Sequence, residues 1–284
     1  MTDNATLIDA PVRHLDACGR RLSIGGRTLV MGILNVTPDS FSDGGQSAAL
    51  PDALAHARRM AAEGADILDV GGESTRPGHT PVTFEEEWAR VGPVLDALSR
   101  EDTPPISIDT FKAETARRAV VAGAVIVNDV WGFSRDPDMA RVVADTGAAA
   151  VLMHNRETVD PTADIVADMV AFFETALERA ARAGVRRERL VLDPGIGFGK
   201  SFEQNLTAIR RLADLRRFGL PLLLGTSRKS LIGKVVAAAP SERLPGTIAS
   251  NVIGVMAGVE IVRVHDVAAH IQAVRVAEAI RDAR

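Results

Sequence analysis

The chain has 284 residues, of which 46% are hydrophobic and 25% are charged, and its formal net charge is −4. This length fits one or two domains, including a single α/β barrel of about 250 residues. The apolar content excludes a disordered or collagen-like chain. No apolar run approaches the ~18 residues that a membrane span needs. With 33 basic against 37 acidic residues and 11 aromatic residues, nothing indicates a nucleic-acid surface.

The cysteine and lysine content is also informative. Cys18 is the one cysteine, so it cannot form a disulfide within the chain, and the first residues do not resemble a secretory signal. We therefore expect a cytoplasmic protein. Only four of the 33 basic residues are lysines, namely Lys112, Lys200, Lys229 and Lys234. A genome rich in G and C explains the small number of lysines. Because lysines are scarce, the position of each one is informative.

Eight short runs rich in Val, Ile and Leu alternate with longer helical patterns. Each run is almost continuously apolar, as is typical of parallel strands buried on both faces. The predicted strands are residues 29–35, 67–70, 106–109, 125–128, 150–153, 190–193, 222–225 and 261–265. The predicted helices are residues 52–63, 84–98, 113–122, 139–145, 163–183, 206–217, 247–257 and 267–282.

Eight strand–helix units in chain order predict a (β/α)₈ TIM barrel. A doubly wound open sheet is the alternative, although no G-x-G-x-x-G turn follows the first strand. Residues 1–28 precede the barrel as an N-terminal extension, in which we expect a hairpin that closes the barrel bottom. Residues 29–284 are expected to form a single domain, since no linker divides them.

Polar side chains follow nearly every predicted strand, at the end of the barrel where active sites lie. A single residue of this kind often only pairs with backbone groups, and Asp69 and His154 are as consistent with a structural role as with a functional one. A complete ring is much harder to explain by structure alone. The ring comprises Asn35, Asp69, Asp109, Asn128, His154, Asp193, Ser227, Lys229, Arg263 and His265.

The chemistry of this ring suits a phosphorylated heterocycle. The acceptors and the amide of Asp109, Asn128 and Asp193 suit a flat heterocycle with adjacent N–H donors. Asn35 together with a phosphate oxygen would hold Mg²⁺. The single cysteine and the histidine spacing argue against zinc, and no signature of a nucleophile is present. Positive groups that suit a phosphate stand at Arg76, Lys229, Arg263 and His265.

Seven segments spread over the barrel resemble signatures of the dihydropteroate synthase family. Two of them are long and highly specific, namely residues 32–45 (GILNVTPDSFSDGG) and residues 64–77 (GADILDVGGESTRP). The shorter matches are SIDT at 107–110, VND at 127–129, LDPGIGF at 192–198, SRKS at 227–230 and RVHD at 263–266. Because they occur in the expected order and cover almost the whole barrel, the chain is identified as a member of this family.

The resemblance implies an enzyme of folate biosynthesis that joins (7,8-dihydropterin-6-yl)methyl diphosphate to 4-aminobenzoate, giving 7,8-dihydropteroate and diphosphate. It implies catalytic roles for Arg76, Asp109, Lys229, Arg263 and His265. The pterin would be bound by Asp109, Asn128, Met153, Asp193, Gly225 and Lys229. The diphosphate would be bound by Arg263 and His265, with Mg²⁺ at Asn35. The two mobile loops would supply Phe41, Asp43, Thr75 and Arg76, and the aminobenzoate pocket would be lined by Pro77, Phe198, Lys229 and Ser230.

The family's dissociative route needs no protein nucleophile, which agrees with the missing nucleophile signature. The resemblance also implies a homodimer. Because residues 192–200 and 225–230 show the ordinary spacing with no insertion, it further implies sensitivity to sulfonamides.

Two other functions stay open at this point. A corrinoid-linked methyltetrahydrofolate methyltransferase shares the Asp-Pro-Gly and Asn-Asp features, but it would not need residues 37–45, 227–230 or 263–266 in this form. A catalytically silent paralogue should have lost charged site residues, which are retained here.

One stretch departs from the family pattern, since residues 155–161 look like a shortened loop after the fifth strand. We expect Arg156 in this loop to be solvated. We also expect Lys200 to be a surface lysine at the start of a helix.

Overall fold

An N-terminal hairpin precedes eight parallel strands, and the apolar runs of these strands are buried on both faces. The computed structural model describes residues 13–37, 45–74 and 81–283. The hairpin consists of β1 (Arg13–Ala17) and β2 (Arg20–Ile24), which pair antiparallel. The parallel strands are β3 (Leu29–Asn35), β4 (Ile67–Gly71), β5 (Ile106–Asp109), β6 (Ile126–Asp129), β7 (Ala149–Met153), β8 (Leu190–Asp193), β9 (Leu223–Leu224) and β10 (Ile261–Val264).

The parallel strands form one sheet that curls into a barrel. Their order is β8-β7-β6-β5-β4-β3-β10-β9, and a parallel bridge between Leu192 and Leu222 joins the two end strands. An open doubly wound sheet would leave these ends apart. The predicted TIM barrel and the predicted hairpin are therefore confirmed, whereas the division at residues 28 and 29 into an extension and one domain stays a prediction.

Helices follow the strands and cover the outside of the barrel. They are α1 (Gly45–Ala62), α2 (Phe84–Leu98), α3 (Ala113–Val121), α4 (Met139–Thr146), α5 (Ile165–Arg182), α6 (Phe202–Arg210), α7 (Ser230–Val236), α8 (Leu244–Met256) and α9 (Val267–Arg281). Within the described ranges, no helix is both long and apolar enough to cross a membrane.

Two features of the helices differ from the sequence prediction. The single helix predicted over residues 206–217 is wrong, because α6 ends at Arg210 and a 3₁₀ helix follows at Leu212–Phe218. Its buried residues Leu212 and Leu215 are three apart, which is the 3₁₀ period. Helix α7 is not among the predicted elements, since its seven residues include Gly233 and β-branched side chains with poor helix propensity.

Capping boxes define where α2 and α6 begin. The Thr83 hydroxyl accepts from the N–H of Glu86, whose carboxylate accepts from the N–H of Thr83 in return. Ser201 and Gln204 make the same reciprocal pair at α6. Each box satisfies two N–H groups that the helix itself leaves unpaired.

Two separate apolar clusters, one between the strands and the helices and one inside the barrel, determine where the polar site lies. Strand residues two apart point to the same face, so each strand contributes one set to the barrel interior and the other to the helices. The interior set forms a cluster that includes Leu29, Met31, Ile67, Ile126, Val151, Val191, Leu223 and Ile261, and Leu15, Ala17 and Ile24 of the hairpin close it from below.

The next inward positions along these strands are mostly polar. Moving two or four residues toward the carboxyl end of each strand reaches Asn35, Asp69, Asn128, Met153, Asp193, Gly225, Arg263 and His265. The lower part of the barrel is therefore an apolar core, and the upper part is lined by these polar residues of the predicted ring.

Candidate active site

Arg263 lies between two buried carboxylates at the upper end of the barrel. Its Nε donates to Asp69 Oδ2 at 2.6 Å and its Nη2 donates to Asp109 Oδ2 at 2.5 Å. Asn128 Nδ2 also donates to Asp69 Oδ2, at 3.1 Å. These side chains come from β4, β5, β6 and β10, so one hydrogen-bonded network links strands across about half of the barrel.

This network leaves two buried acceptors unsatisfied. Among the residues that the structure describes, Asp69 Oδ1 and Asp109 Oδ1 have no hydrogen-bond partner. Burial raises the pKa of Asp109 to about 7, against the lowering effect of Arg263, and the charge of Asp69 raises it further. Burial opposes the charge of Arg263, but the two carboxylates raise the pKa of its guanidinium. Unsatisfied buried acceptors suit a ligand that brings N–H donors.

Lys229 and Asp193 bring opposite charges to another part of the ring. Asp193 Oδ1 accepts from the N–H of Gly195 at 2.7 Å. Lys229 Nζ donates to the carbonyl of Ile196 and lies 4.7 Å from the centroid of the Phe198 ring. Burial lowers the pKa of Lys229 to about 8, opposed by the negative charge of Asp193. Burial raises the pKa of Asp193, opposed by Lys229.

Gly225 lies beside both cationic residues of the ring. A Cβ atom at this position would lie 3.8 Å from Lys229 Nζ and 3.9 Å from Arg263 Cβ. Both distances are ordinary van der Waals contacts, so the backbone of Gly225 lies directly against Lys229 and Arg263.

Two short segments at β9 and β10 are tied to each other. His265 Nδ1 lies 2.9 Å from Ser227 Oγ, which also accepts from the N–H of His265 at 3.1 Å. Arg228 donates to both carboxylate oxygens of Asp266, at 3.1 and 2.5 Å. These contacts join residues 227–230, which include Lys229, to residues 263–266, which include Arg263.

The remaining predicted residues lie around this centre or outside the described part of the chain. Asn35 ends β3 and pairs in register with Gly71, which in turn pairs with Asp109. Met153 is buried at the end of β7 opposite Asp193. Ser230 is exposed as the first residue of α7. The predictions that fall outside the described residues concern Phe41, Asp43, Thr75, Arg76 and Pro77.

The donor set at the upper end of the barrel does not form a metal cage. The described residues contain no group of three or more His, Cys, Asp or Glu side chains that could hold a metal ion. Asn35 offers one half-buried amide group at the mouth of the barrel. Mg²⁺ commonly takes few protein ligands and several oxygens from phosphate and water. The residues therefore fit an ion that a substrate phosphate would help to hold.

Comparisons with known proteins agree with this geometry. A family model described as pterin binding enzyme matches residues 31–265. The dihydropteroate synthase of Bacillus subtilis is 49% identical over 246 residues, which are 87% of this chain and 86% of the relative. The Xanthomonas albilineans dihydropteroate synthase, solved with 4-aminobenzoic acid, is 43% identical with a TM-score of 0.92, covering 96% of this chain and 100% of that one. The Yersinia pestis dihydropteroate synthase, solved with a sulfonamide drug, is 42% identical with a TM-score of 0.89, covering 95% and 100%.

The chain belongs to the dihydropteroate synthase family. It is accordingly an enzyme of folate biosynthesis and a transferase. Neither the corrinoid-linked methyltransferase nor the silent paralogue is favoured, because curated synthases match the chain closely over most of its length.

Three residues beside the ring have structural roles. The sequence left the role of His154 open, and the predictions that Arg156 and Lys200 are exposed to solvent are wrong. His154 is wholly buried, its Nε2 lies 2.9 Å from Asp168 Oδ2, and burial lowers its pKa to about 2. Arg156 is not solvated, because it donates to the carbonyl of Gly199 and to the Gln204 side chain, each at 3.0 Å. Lys200 is not a surface lysine, since it is only 7% exposed.

Sequence reasoning missed an ion cluster that follows β4 in this synthase. Lys112 Nζ pairs with Glu73 and lies 3.1 Å from Glu87 Oε2. Glu87 is wholly buried, and it also accepts from the Thr115 hydroxyl at 2.8 Å. Glu73 lies in the second long signature, so the cluster ties this signature to α2 and to the start of α3. The scarcity of lysine was the signal that could have identified it.

Replacing Lys112 by methionine should destabilise the protein by about 3 kcal/mol, because two buried carboxylates would lose their cation. Urea unfolding followed by circular dichroism measures the loss. Lys234→Met, at an exposed lysine of α7, is the matched control and should change stability by less than about 0.5 kcal/mol. Equal stability of the two variants at pH 8 would contradict the role of Lys112.

Proposed function

We propose that the ring at the upper end of the barrel binds (7,8-dihydropterin-6-yl)methyl diphosphate and 4-aminobenzoate and joins them into 7,8-dihydropteroate, with release of diphosphate. The observation that carries this proposal is the buried Oδ1 of Asp109, an acceptor without a partner in the described residues, beside the half-buried guanidinium of Arg263. A pterin brings ring and amino N–H groups that can donate to such an acceptor. The reaction itself is that of the family.

The pterin would lie flat across the ring. Asp193 would accept from its amino-pyrimidine edge, and Lys229 would donate on the O4 and N5 side. Asp109 and Asn128 would bind the remaining polar edge, while Met153 packs on one face. The burial of Asp109, Asn128 and Asp193 supports this orientation, because hydrogen bonds to charged groups are strongest where water is excluded.

The diphosphate would be bound at the positive side of the ring. Arg263 uses Nε and Nη2 for the two carboxylates, which leaves Nη1 without a partner among the described residues. Arg263 and His265 are two apart on one strand direction, so their side chains project to the same side. Mg²⁺, held by Asn35 and by the diphosphate, would neutralise charge on the leaving group.

The bond changes follow from this arrangement of charges. The bond between the pterin methylene carbon and the diphosphate oxygen breaks, and its electron pair leaves with diphosphate. The amine nitrogen of 4-aminobenzoate then attacks the methylene carbon and loses one proton. Asp109 and Asp193 would stabilise the pterin cation, while Arg263 and His265 stabilise the departing anion. No protein nucleophile is needed.

The second substrate would bind beside Lys229. Phe198 would pack on the aryl ring and Ser230 would meet its carboxylate, with Pro77 completing the pocket. The contact between Lys229 Nζ and the Phe198 ring supports this location, since it puts a cation and an aromatic face side by side. The bound 4-aminobenzoic acid of the Xanthomonas albilineans relative supports the same substrate class.

The chain is also proposed to form a homodimer in the cytoplasm. Helices α8 and α9 expose an apolar face made of Ile253, Met256, Val276 and Ile280. A second copy of the chain would cover such a face. The lone cysteine is consistent with a reducing compartment.

Light scattering should give a mass of twice the 30.2 kDa of one chain. Val276→Asp should convert the protein to monomers, because it puts a charge at the centre of the apolar face. Val121→Asp, at another exposed valine on α3, is the control and should leave the dimer intact. A monomeric wild-type protein would refute the dimer.

Lys229→Ala should lower kcat/KM for the pterin diphosphate by about 10- to 150-fold, the equivalent of one lost charged hydrogen bond of about 1.5–3 kcal/mol. In the wild-type enzyme kcat/KM should fall above about pH 8, since Lys229 loses its proton with a pKa of about 8. Lys229→Arg should move that fall to higher pH. Steady-state kinetics from pH 6 to pH 10 measures all three. A folded Lys229→Ala enzyme with wild-type kinetics would remove Lys229 from the site.

Removing divalent metal with EDTA should abolish turnover, and added Mg²⁺ should restore it. His265→Ala should weaken binding of the pterin diphosphate more than binding of a 6-hydroxymethyl pterin without diphosphate, as should Arg263→Ala in variants that circular dichroism shows to be folded. Calorimetric titration with both ligands separates the two contributions. Equal losses for both ligands would mean that the anion binds elsewhere.

The enzyme should be inhibited by sulfonamides, which copy the arylamine and the negative end of 4-aminobenzoate. The contacts proposed for Phe198 and Ser230 are shared by substrate and drug, so they give no basis for discrimination. The sulfonamide complex of the Yersinia pestis relative supports this expectation. Expression in a bacterium that lacks its own synthase, followed by sulfamethoxazole challenge, is the test. Growth at drug levels that stop a sensitive enzyme at matched expression would contradict it.

A further inference from the structure

The turn after β8 carries Phe198, and its backbone is bound by two lysines. Lys200 Nζ donates to the carbonyls of Gly195 at 2.8 Å and Phe198 at 3.0 Å. Lys229 Nζ donates to the carbonyl of Ile196, which lies between them in the chain. Three carbonyls within four residues therefore accept from two ammonium groups, one of which is in the proposed pterin site.

Lys200 also joins this turn to the neighbouring strand. Its Nζ donates to the carbonyl of His154, at the end of β7, at 3.3 Å. Gly195 has a φ of +65°, and a Cβ atom there would overlap the same His154 oxygen. The backbone of the turn thus lies directly against the end of β7, and the ammonium group sits where the two segments meet.

The hydrogen-bond partners of Lys200 are unusual for a lysine that only stabilises the fold. It makes no ion pair with a carboxylate among the described residues, and its direct hydrogen-bond acceptors there are carbonyl oxygens. Burial lowers its pKa to about 7, and nearby Lys229 and Arg156 lower it further, whereas the charges of Asp193 and Asp168 raise it. Burying an ammonium group without an ionic partner costs free energy. The fixed geometry of the turn accounts for why this cost is tolerated here.

We infer that Lys200 is a positioning residue of the synthase, which fixes the Phe198 turn and thereby the aryl pocket and the acceptor of Lys229. This inference rests on the proposed function for its catalytic consequence, but the hold on the turn is independent of it. Without the ammonium group, the carbonyls of Gly195, Phe198 and His154 lose a shared donor. The backbone of the turn then becomes more mobile, and the Phe198 side chain no longer keeps a single orientation toward the aryl ring.

The first test measures the turn itself by hydrogen–deuterium exchange of the full-length protein. In Lys200→Met, amides in the peptide covering residues 194–201 should exchange at least several-fold faster than in the wild type, while the peptides of β3 to β6 are unchanged. Lys234→Met, the exposed lysine control, should match the wild type. Unchanged exchange in Lys200→Met would overturn the inference whatever reaction the enzyme performs.

The second test asks whether the effect acts through Phe198. Lys200→Met should raise KM for 4-aminobenzoate by roughly ten- to a hundredfold, because small misplacements of a binding group have effects of this size. In a Phe198→Ala background the same change should raise this KM less than about twofold, since the group that Lys200 positions is already gone. Additive effects in the double variant, or a KM within twofold of the wild type in Lys200→Met, would overturn the inference.

A second variant covers a failure of Lys200→Met to fold. Lys200→Gln keeps two N–H donors on a shorter side chain, and it should give intermediate exchange and an intermediate KM. A wild-type protein that releases no diphosphate with both substrates would instead refute the proposed function, and the exchange experiment would still decide the role of Lys200. Exchange and KM of Lys200→Gln equal to those of the wild type would count against the inference.

Discussion

A guanidinium group held between two buried carboxylates governs the electrostatics of the upper barrel. Arg263 offers its planar donors to Asp69 and Asp109 at the same time, a geometry that a lysine could not reproduce. Removal of one member would leave buried charge uncompensated, which commonly costs about 3–5 kcal/mol. The network therefore supports the fold and also puts two carboxyl groups and one guanidinium beside the proposed pterin. A site that must stabilise a cation on the ring and an anion next to it needs this separation of charges.

Three lysines around the Arg263 network join different segments of the chain through contacts of their ammonium groups. Three of the four lysines are buried or half-buried at the upper end of the barrel, and each joins groups from different segments: Lys112, Lys200 and Lys229. A compact ammonium group with three donors can serve acceptors that converge from several directions.

Much of the barrel and of the ring could be predicted from the sequence because both depend on local patterns. The strands are continuous apolar runs, and the point where each run stops identifies the first polar residue of the ring, as at Asp109 and Asp193. The N-terminal hairpin was predictable from Cys18 and Gly19, which form the two-residue turn between β1 and β2. Helix α7 was not, since seven residues with an internal glycine carry too little periodic signal.

The environments of single polar residues could not be predicted in the same way. Lys200 and Arg156 are buried because two turns, after β7 and after β8, lie against each other, and no period in the sequence encodes that contact. Asp69 and His154 looked equivalent as residues at strand ends, but Asp69 joins Arg263 whereas His154 packs against Phe172. Their difference depends on which charged neighbours the fold brings to them.

The most direct test of the central claim is the rate of diphosphate release by the purified protein with Mg²⁺ and with each substrate alone or both together. Release should require the pterin diphosphate and 4-aminobenzoate together, and 7,8-dihydropteroate should form in equal amount. Release at the same rate without the arylamine would mean that the site hydrolyses the diphosphate rather than joining two substrates. No release with both present would contradict the proposed reaction.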